Sequence, residues 1–263
     1  MRRDWDFASF RSLQLSYQSP AAESGLVNAR LLPSPFAAGL AAARANLIPG
    51  LLIQAAVLTV LLAYWNHAPS RNILARIAEW KSTHGYPFTF LLVSVAGAVL
   101  PEFLRVLIFQ RARVRAENLR NVAFGIPFWG LMGICADTLY RAQAIWFGST
   151  ATLSVVLSKV LFDQLVYTPL FGTPAIIWAY EWRRSGFALD DFRYAFGPRF
   201  YRDRILPSLI AGWGVWVPTI SLVYCLPPLL QLPVSALATC FWSLLVVYMQ
   251  STKRDTASSA PAG

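Results

Sequence analysis

An all-α membrane helix bundle, with about six transmembrane helices and short interfacial helices, is predicted by three features of this 263-residue sequence. Only 14% of the residues are charged and 56% are hydrophobic, whereas a soluble domain has about 25% charged residues. Several uncharged apolar stretches are long enough to cross about 30 Å of hydrocarbon as helices. The basic residues are concentrated in alternate loops, as in multi-pass membrane proteins. These features exclude an ordinary soluble enzyme and an ordinary nucleic-acid-binding protein.

A single transmembrane domain is predicted over residues 45–252. A polar, largely irregular arm over residues 1–44 precedes it, and a disordered tail over residues 253–263 follows it. After the first span, apolar residues recur on one side of residues 71–84, which is typical of a short interfacial helix. The predicted spans are residues 47–65, 86–110, 121–147 and 153–180, with two further crossings in the uncharged stretch 205–252.

Four prolines are expected to kink or end these helices, because proline lacks a backbone N–H and clashes with the preceding turn. Pro169 and Pro174 fall in the fourth span, which is longer than the bilayer requires. Pro218 falls in the fifth span, and Pro228 falls in the turn before the sixth.

The distribution of basic residues predicts how the helices are oriented. With six spans, seventeen Lys and Arg residues lie on the side of the two termini and of residues 111–120 and 183–204, against three on the other side. Basic loops favour the cytoplasmic or matrix side, so both termini are expected there. This asymmetry also accounts for the net charge of +10 without nucleic acid. A bacterial inner membrane and a mitochondrial or peroxisomal membrane both fit the pattern.

No metal ion or other cofactor is expected. The three cysteines lie in apolar stretches without CxxC spacing, and two histidines offer little for metal binding or acid–base chemistry. The expected partners are the lipid bilayer and anionic lipid headgroups at the basic loops. Assembly into a homo-oligomer is left open.

Six charged residues lie inside the predicted spans. A charge at the bilayer centre costs about 2.5–3.5 kcal/mol on insertion scales, so each needs an explanation. All six form pairs at helical spacing, where two side chains share a face and can touch. Two hypotheses follow: the pairs neutralise themselves against neighbouring helices, or they line a water-filled pathway. The pairs are Glu102 and Arg105, Asp137 and Arg141, and Lys159 and Asp163.

The segment around the last pair resembles a known family. Asp163 and Gln164, followed by four residues and Pro169, are similar to the Asp-Gln-x4-Pro signature of the Mpv/PMP family. A basic loop over residues 183–204, a Trp-rich span that contains Trp213 and Trp216, and the late proline Pro228 follow in the same order. Tyr140 and Arg141 stand in the place of the family's Trp-Tyr element. The resemblance covers about residues 86–252.

The chain departs from the family pattern at several positions. Val217 separates Trp216 from Pro218 where the family has Trp-Pro, and Ile220 and Val223 stand where polar residues are usual. Leu232 occupies the place of a basic residue that follows the late proline. These departures make the chain a divergent member.

The resemblance implies a small integral protein of peroxisomal or inner mitochondrial membranes that acts as a channel or pore for small solutes, without catalysis. It implies that Asp163, Gln164, Tyr140 and Arg141 lie along the pathway. The alternative is a non-transporting scaffold that binds lipid or partner proteins. A membrane enzyme is not expected, because the chain's one adjacent acidic pair, Asp190–Asp191, lies in a loop, and no nucleophile or metal motif lies in a span.

Overall fold

A computed structural model describes residues 34–188 and 192–242, and within these ranges the chain forms helices and no β-strand. The predicted all-α fold is thereby confirmed. The Asp190–Asp191 pair, most of the N-terminal arm and the whole C-terminal tail lie outside the described residues. The helices in the described ranges, apart from one short 3₁₀ turn, are α1 (Pro35–Ala45), α2 (Leu47–Asn66), α3 (Ala68–Ile108), α4 (Ala116–Phe147), α5 (Leu153–Arg184), α6 (Pro198–Tyr224) and α7 (Pro228–Trp242).

Five of these helices, α2 to α6, are long and apolar enough to cross a membrane. They match the first five predicted spans. The predicted sixth span begins with the shorter apolar helix α7, and its remainder lies outside the described residues. Large apolar side chains stay exposed along the candidate spans, among them Ile48, Ile145 and Leu170. Such exposure suits contact with lipid, and the chain is a multi-pass membrane protein.

Local capping explains why α1 begins inside the segment expected to be irregular. The Ser34 hydroxyl accepts a hydrogen bond from the Ala37 backbone N–H at 3.2 Å, and Pro35 occupies the first turn. A side-chain acceptor at the N-cap and a proline just inside the helix are a typical helix start. The last eleven residues before Asn46 are therefore helical.

Gly85 divides α3 into an amphipathic first part and an apolar second part. Its φ of +51° and ψ of −127° are not helical, and an added Cβ would meet nothing within 4 Å. Glycine adopts such positive φ values without the steric penalty of other residues. The predicted interfacial helix over residues 71–84 and the span that follows it are thus separate helical segments joined at one residue.

Pro169 and Pro228 lie at irregular backbone or at a helix end, whereas Pro218 does not end its helix. Pro169 lies in a π-helical segment of α5, Asp163–Gly172, and Pro174 lies in the first turn of the α-helical segment that follows it. A π-helix pairs residues five apart and leaves wider turns than an α-helix. Pro218 lies inside α6, which continues to Tyr224, and Pro228 is the first residue of α7.

The described chain divides into two units. Unit 1 comprises residues 34–50, 162–188 and 192–217, and unit 2 comprises residues 51–161 and 218–242. Unit 1 has an apolar core that includes Ile177, Phe200 and Ile205 from α5 and α6.

In unit 2 the second part of α3 packs closely on α4 at small residues. A Cβ added to Gly125 would lie 2.6 Å from the Ala98 Cβ, and one added to Gly133 would lie 2.7 Å from Val93. Small residues at helix interfaces let backbones approach, which is a common route to association in membranes.

Gly125→Ala is expected to lower the melting temperature of the purified protein in detergent. The added methyl meets the Ala98 Cβ, which cannot rotate away, and overpacking of this kind costs about 1–3 kcal/mol. Gly212→Ala is the matched control, because its Cβ would meet only Trp216 at 3.7 Å. Both changes gain the same helix propensity. Equal melting temperatures for the two variants would contradict the close α3–α4 packing.

Candidate functional site

A buried carboxylate is the centre of the polar groups in unit 2. Asp137 on α4 is 0% exposed. Its Oδ1 lies 2.6 Å from Lys81 Nζ, and its Oδ2 lies 3.0 Å from Arg141 Nε. Thr89 also donates to Oδ2 at 3.4 Å. The pair with Arg141 forms at the predicted i,i+4 spacing, but the carboxylate is shared with a second cation.

Lys81 was not among the predicted site residues. It lies in the amphipathic part of α3, where a lysine is expected to reach water, yet it is 1% exposed. Its partner Asp137 is 56 positions away in the sequence, and no local spacing rule connects them. The sequence held one indication of such a partner. A negative charge inside a span needs more positive charge beside it than one partly exposed arginine provides.

Arg141 connects this buried centre to the surface of unit 2. Its side chain is 48% exposed, and its guanidinium carbon lies 5.2 Å above the ring centroid of Tyr86. A guanidinium over an aromatic face is attracted by the ring quadrupole. The Tyr86 hydroxyl also shares a hydrogen bond with the Thr138 hydroxyl at 3.1 Å. Two cations and one carboxylate leave this group with an excess positive charge.

A second acidic residue closes the turn between α3 and α4. Glu102 accepts hydrogen bonds from Asn118 at 2.7 Å and from Asn121 at 2.8 Å, and it lies 3.3 Å from Arg105. Arg105 also reaches Glu117 at 3.4 Å. The predicted Glu102–Arg105 pair therefore forms, within a network of two carboxylates, one guanidinium and two amides that joins two helix ends. The three α4 partners were missed, since they lie across a loop.

The expected pair of Lys159 and Asp163 was wrong, because these two residues form no ion pair in the described part of the chain. Asp163 accepts hydrogen bonds from Gln164 Nε2 and Thr168 Oγ1, both at 3.1 Å. The α-helical part of α5 ends at Phe162, and the π-helical segment starts at Asp163. The i,i+4 rule holds for an α-helix, whereas here Asp163 pairs five residues onward.

The Asp163–Gln164 motif lies in unit 1, where α6 supports it. Trp213 Nε1 donates to the Gln164 carbonyl at 3.1 Å, and the Tyr201 hydroxyl donates to the Pro169 carbonyl at 3.0 Å. Gln164 and Asp163 are both buried. Side-chain donors from α6 thus hold the wide turns of α5 in place around this motif.

Lys159 lies in unit 2 beside a different set of residues. It is 1% exposed, and its Nζ lies 5.8 Å from the ring centroid of Tyr224 at the end of α6. Tyr140 on α4 packs edge-on against the same ring at 5.5 Å and donates to Ser235 Oγ on α7 at 3.3 Å. Gln143 Nε2, one turn further along α4, donates to the Lys159 carbonyl at 3.3 Å. Two predicted residues, Lys159 and Tyr140, are therefore brought together around Tyr224, while Gln143, Tyr224 and Ser235 were not anticipated.

The basic loop of unit 1 is held by a buried carboxylate on α5. Glu181 is paired with Arg184 and accepts a hydrogen bond from the Tyr194 hydroxyl, and Trp178 donates to the Ala195 carbonyl at 2.8 Å. Burial, and then the hydrogen bond to Glu181, raise the pKa of Tyr194 above its ordinary value. The phenol therefore stays protonated and keeps donating at neutral pH.

An open cavity of about 470 Å³ lies beside this loop. Arg199 and Arg204 line it together with Asp203, which is paired with the neighbouring Arg202 at 2.7 Å. Neither Arg199 nor Arg204 has a carboxylate within 4.0 Å among the described residues. Within residues 34–188 and 192–242, no group of three His, Cys, Asp or Glu side chains could hold a metal ion.

Asp137→Leu is expected to destabilise the protein by about 3–5 kcal/mol, because it leaves the Lys81 ammonium buried without its counter-charge. The double variant Lys81→Met, Asp137→Leu is expected to recover most of this loss. Thermal unfolding in detergent measures both.

The control for this comparison is Arg202→Gln, which breaks an exposed ion pair worth about 0–1 kcal/mol. If Asp137→Leu unfolded at the wild-type temperature, the buried contact with Lys81 would not exist in the protein.

The chain was also compared with known proteins. No protein family, curated protein or solved structure matches it. The resemblance to the Mpv/PMP family therefore stays a prediction based on the residues quoted above.

Proposed function

We propose that this protein is a channel or pore for small solutes and a divergent member of the Mpv/PMP family. The observation that supports the pore is the unbalanced charge around Asp137. Two cations, Lys81 and Arg141, contact this one carboxylate, and Arg141 is half exposed. Ion pairs that only neutralise themselves carry no net charge. An excess charge within apolar helices is better accommodated by water and mobile ions along a pathway.

The family assignment is supported by the environment of its signature. Asp163, Gln164 and Pro169 occur together in one irregular segment. Trp213 and Tyr201 on α6 donate hydrogen bonds to its backbone carbonyls. A signature held in this way is a coherent structural element. The resemblance favours an organelle membrane, and the basic loops favour both termini on the cytoplasmic or matrix side. The proposed role is transport without catalysis.

The purified protein in planar bilayers is expected to conduct current. Arg141→Gln is expected to change the ion selectivity, because it removes the half-exposed charge from the Asp137 group. Asp163→Asn tests the role along the pathway that the family resemblance implies. Arg202→Gln, a surface change, serves as the control. A bilayer that stayed silent with folded, inserted protein would overturn the proposed pore.

A second candidate function is a scaffold that binds anionic lipid at the basic loop of unit 1. The specific observation is the cavity beside Arg199 and Arg204, two cations without carboxylate partners within 4.0 Å in the described chain. Guanidinium groups bind phosphate well because their planar donors match its oxygens. Each basic residue near a membrane surface contributes about 1 kcal/mol of attraction to anionic lipid.

Phosphatidylglycerol is expected to raise the melting temperature of the wild-type protein more than phosphatidylcholine does. The double variant Arg199→Gln, Arg204→Gln is expected to lose this difference, because it removes both cavity cations. The double variant Arg111→Gln, Arg113→Gln removes the same charge from another exposed loop. If both double variants lost the effect equally, the attraction would be a property of net charge and not of the cavity.

A further inference from the structure

Lys159 is a buried cation inside a candidate membrane span. It belongs to the apolar segment Leu153–Phe162 of α5, between the buried residues Val156 and Val160. Its own exposure is 1%. Among the described residues, Nζ has no carboxylate within 4.0 Å, and it lies 5.8 Å from the centroid of the Tyr224 ring.

The surroundings of Lys159 in unit 2 are polar but uncharged. Tyr140 and Gln143 come from α4, Tyr224 from α6 and Ser235 from α7. Gln143 is fully buried, and its Oε1 has no hydrogen-bond partner in the described part of the chain. Four helices thus contribute side chains to one buried region. This region contains the Lys159 cation and an amide oxygen that accepts no hydrogen bond from the described residues.

The carboxylates nearest to Lys159 along the helices are engaged elsewhere. Asp137, one turn before Tyr140 on α4, contacts Lys81 and Arg141. Asp163, one turn after Lys159 on α5, accepts hydrogen bonds from Gln164 and Thr168. The lysine therefore has no counter-charge of its own among the residues that the structure describes.

The attraction of the Tyr224 ring is too weak to compensate a buried charge. A cation–π contact contributes about 0.5–2 kcal/mol, whereas removing an ammonium from water costs several kcal/mol. A positively charged lysine in this position needs an anion beside it. Rings of lysine or arginine side chains are the means by which pores select anions.

We propose that Lys159 binds a small inorganic anion, such as chloride, and that the pore selects anions over cations. This inference rests on the proposed pore function and assigns its substrate class. Lys81, Arg141 and Lys159 together outnumber the one carboxylate that contacts any of them.

The test measures the reversal potential in planar bilayers under a potassium chloride gradient. Wild-type protein is expected to favour chloride, and Lys159→Gln is expected to lower the chloride-to-potassium permeability ratio, because it removes the positive charge that attracts the anion. Lys159→Arg keeps the charge and is expected to keep the preference. Arg202→Gln is the control for the loss of a positive charge at the surface.

A second measurement does not depend on conduction. The melting temperature of purified protein is followed while chloride replaces gluconate at constant ionic strength, because a ligand that binds only the folded state stabilises it. Wild type is expected to gain stability with chloride, and Lys159→Met, which keeps the apolar stem, is expected to show no gain.

The two measurements test the anion site at Lys159 separately from the proposed pore. A conductance that prefers potassium, or that is the same in Lys159→Gln, overturns the anion preference and leaves the pore. A silent bilayer overturns the pore, and the chloride-dependent melting then decides the binding site alone. Melting that does not depend on chloride overturns the binding site at Lys159.

Discussion

The fully buried Asp137 carboxylate is the constraint on which the arrangement of unit 2 depends. It must be compensated in a medium of low polarity, and it draws Lys81 from the amphipathic part of α3 and Arg141 from its own helix. Because Lys81 precedes the Gly85 break, this contact ties the amphipathic segment to α4. The glycines of α4 then allow the second part of α3 to approach closely. One charge therefore connects two segments that their apolar faces alone would not align.

Unit 1 is organised by the backbone groups of α5 instead. The π-helical turns around Pro169 cannot satisfy all their carbonyls within the helix, and in a membrane such groups are costly. Trp213 and Tyr201 on α6 supply donors to two of these carbonyls. Further along α5, Glu181 holds the basic loop through Arg184 and Tyr194. Polar contacts thus determine the register of the segments, whereas apolar burial provides the bulk of the packing.

The two hypotheses for the intramembrane charges apply to different residues. Glu102 and Arg105 belong to a network at the ends of two helices, in which Asn118 and Asn121 donate to Glu102, and this tie across the turn suits a structural role. The group at Asp137 carries an excess cation, and Lys159 has no carboxylate near it in the described chain. These two features support the proposed pathway and its proposed preference for anions. The Asp163–Gln164 pair, although it carries the family resemblance, lies in a segment of α5 that donors from α6 hold in place.

The sequence by itself determined the fold class, the first five spans and the break at Gly85, although α6 continues past the expected break at Pro218. Hydropathy depends only on composition over a window, and glycine and proline act on their own turn, so both can be predicted locally. The pairs Glu102–Arg105 and Asp137–Arg141 were predictable because α-helical periodicity places them on one face. Only the tertiary structure decided that Lys159 lies beside Tyr224 and that Lys81 reaches Asp137. Those contacts depend on which helices pack together, and no spacing within one helix contains that information.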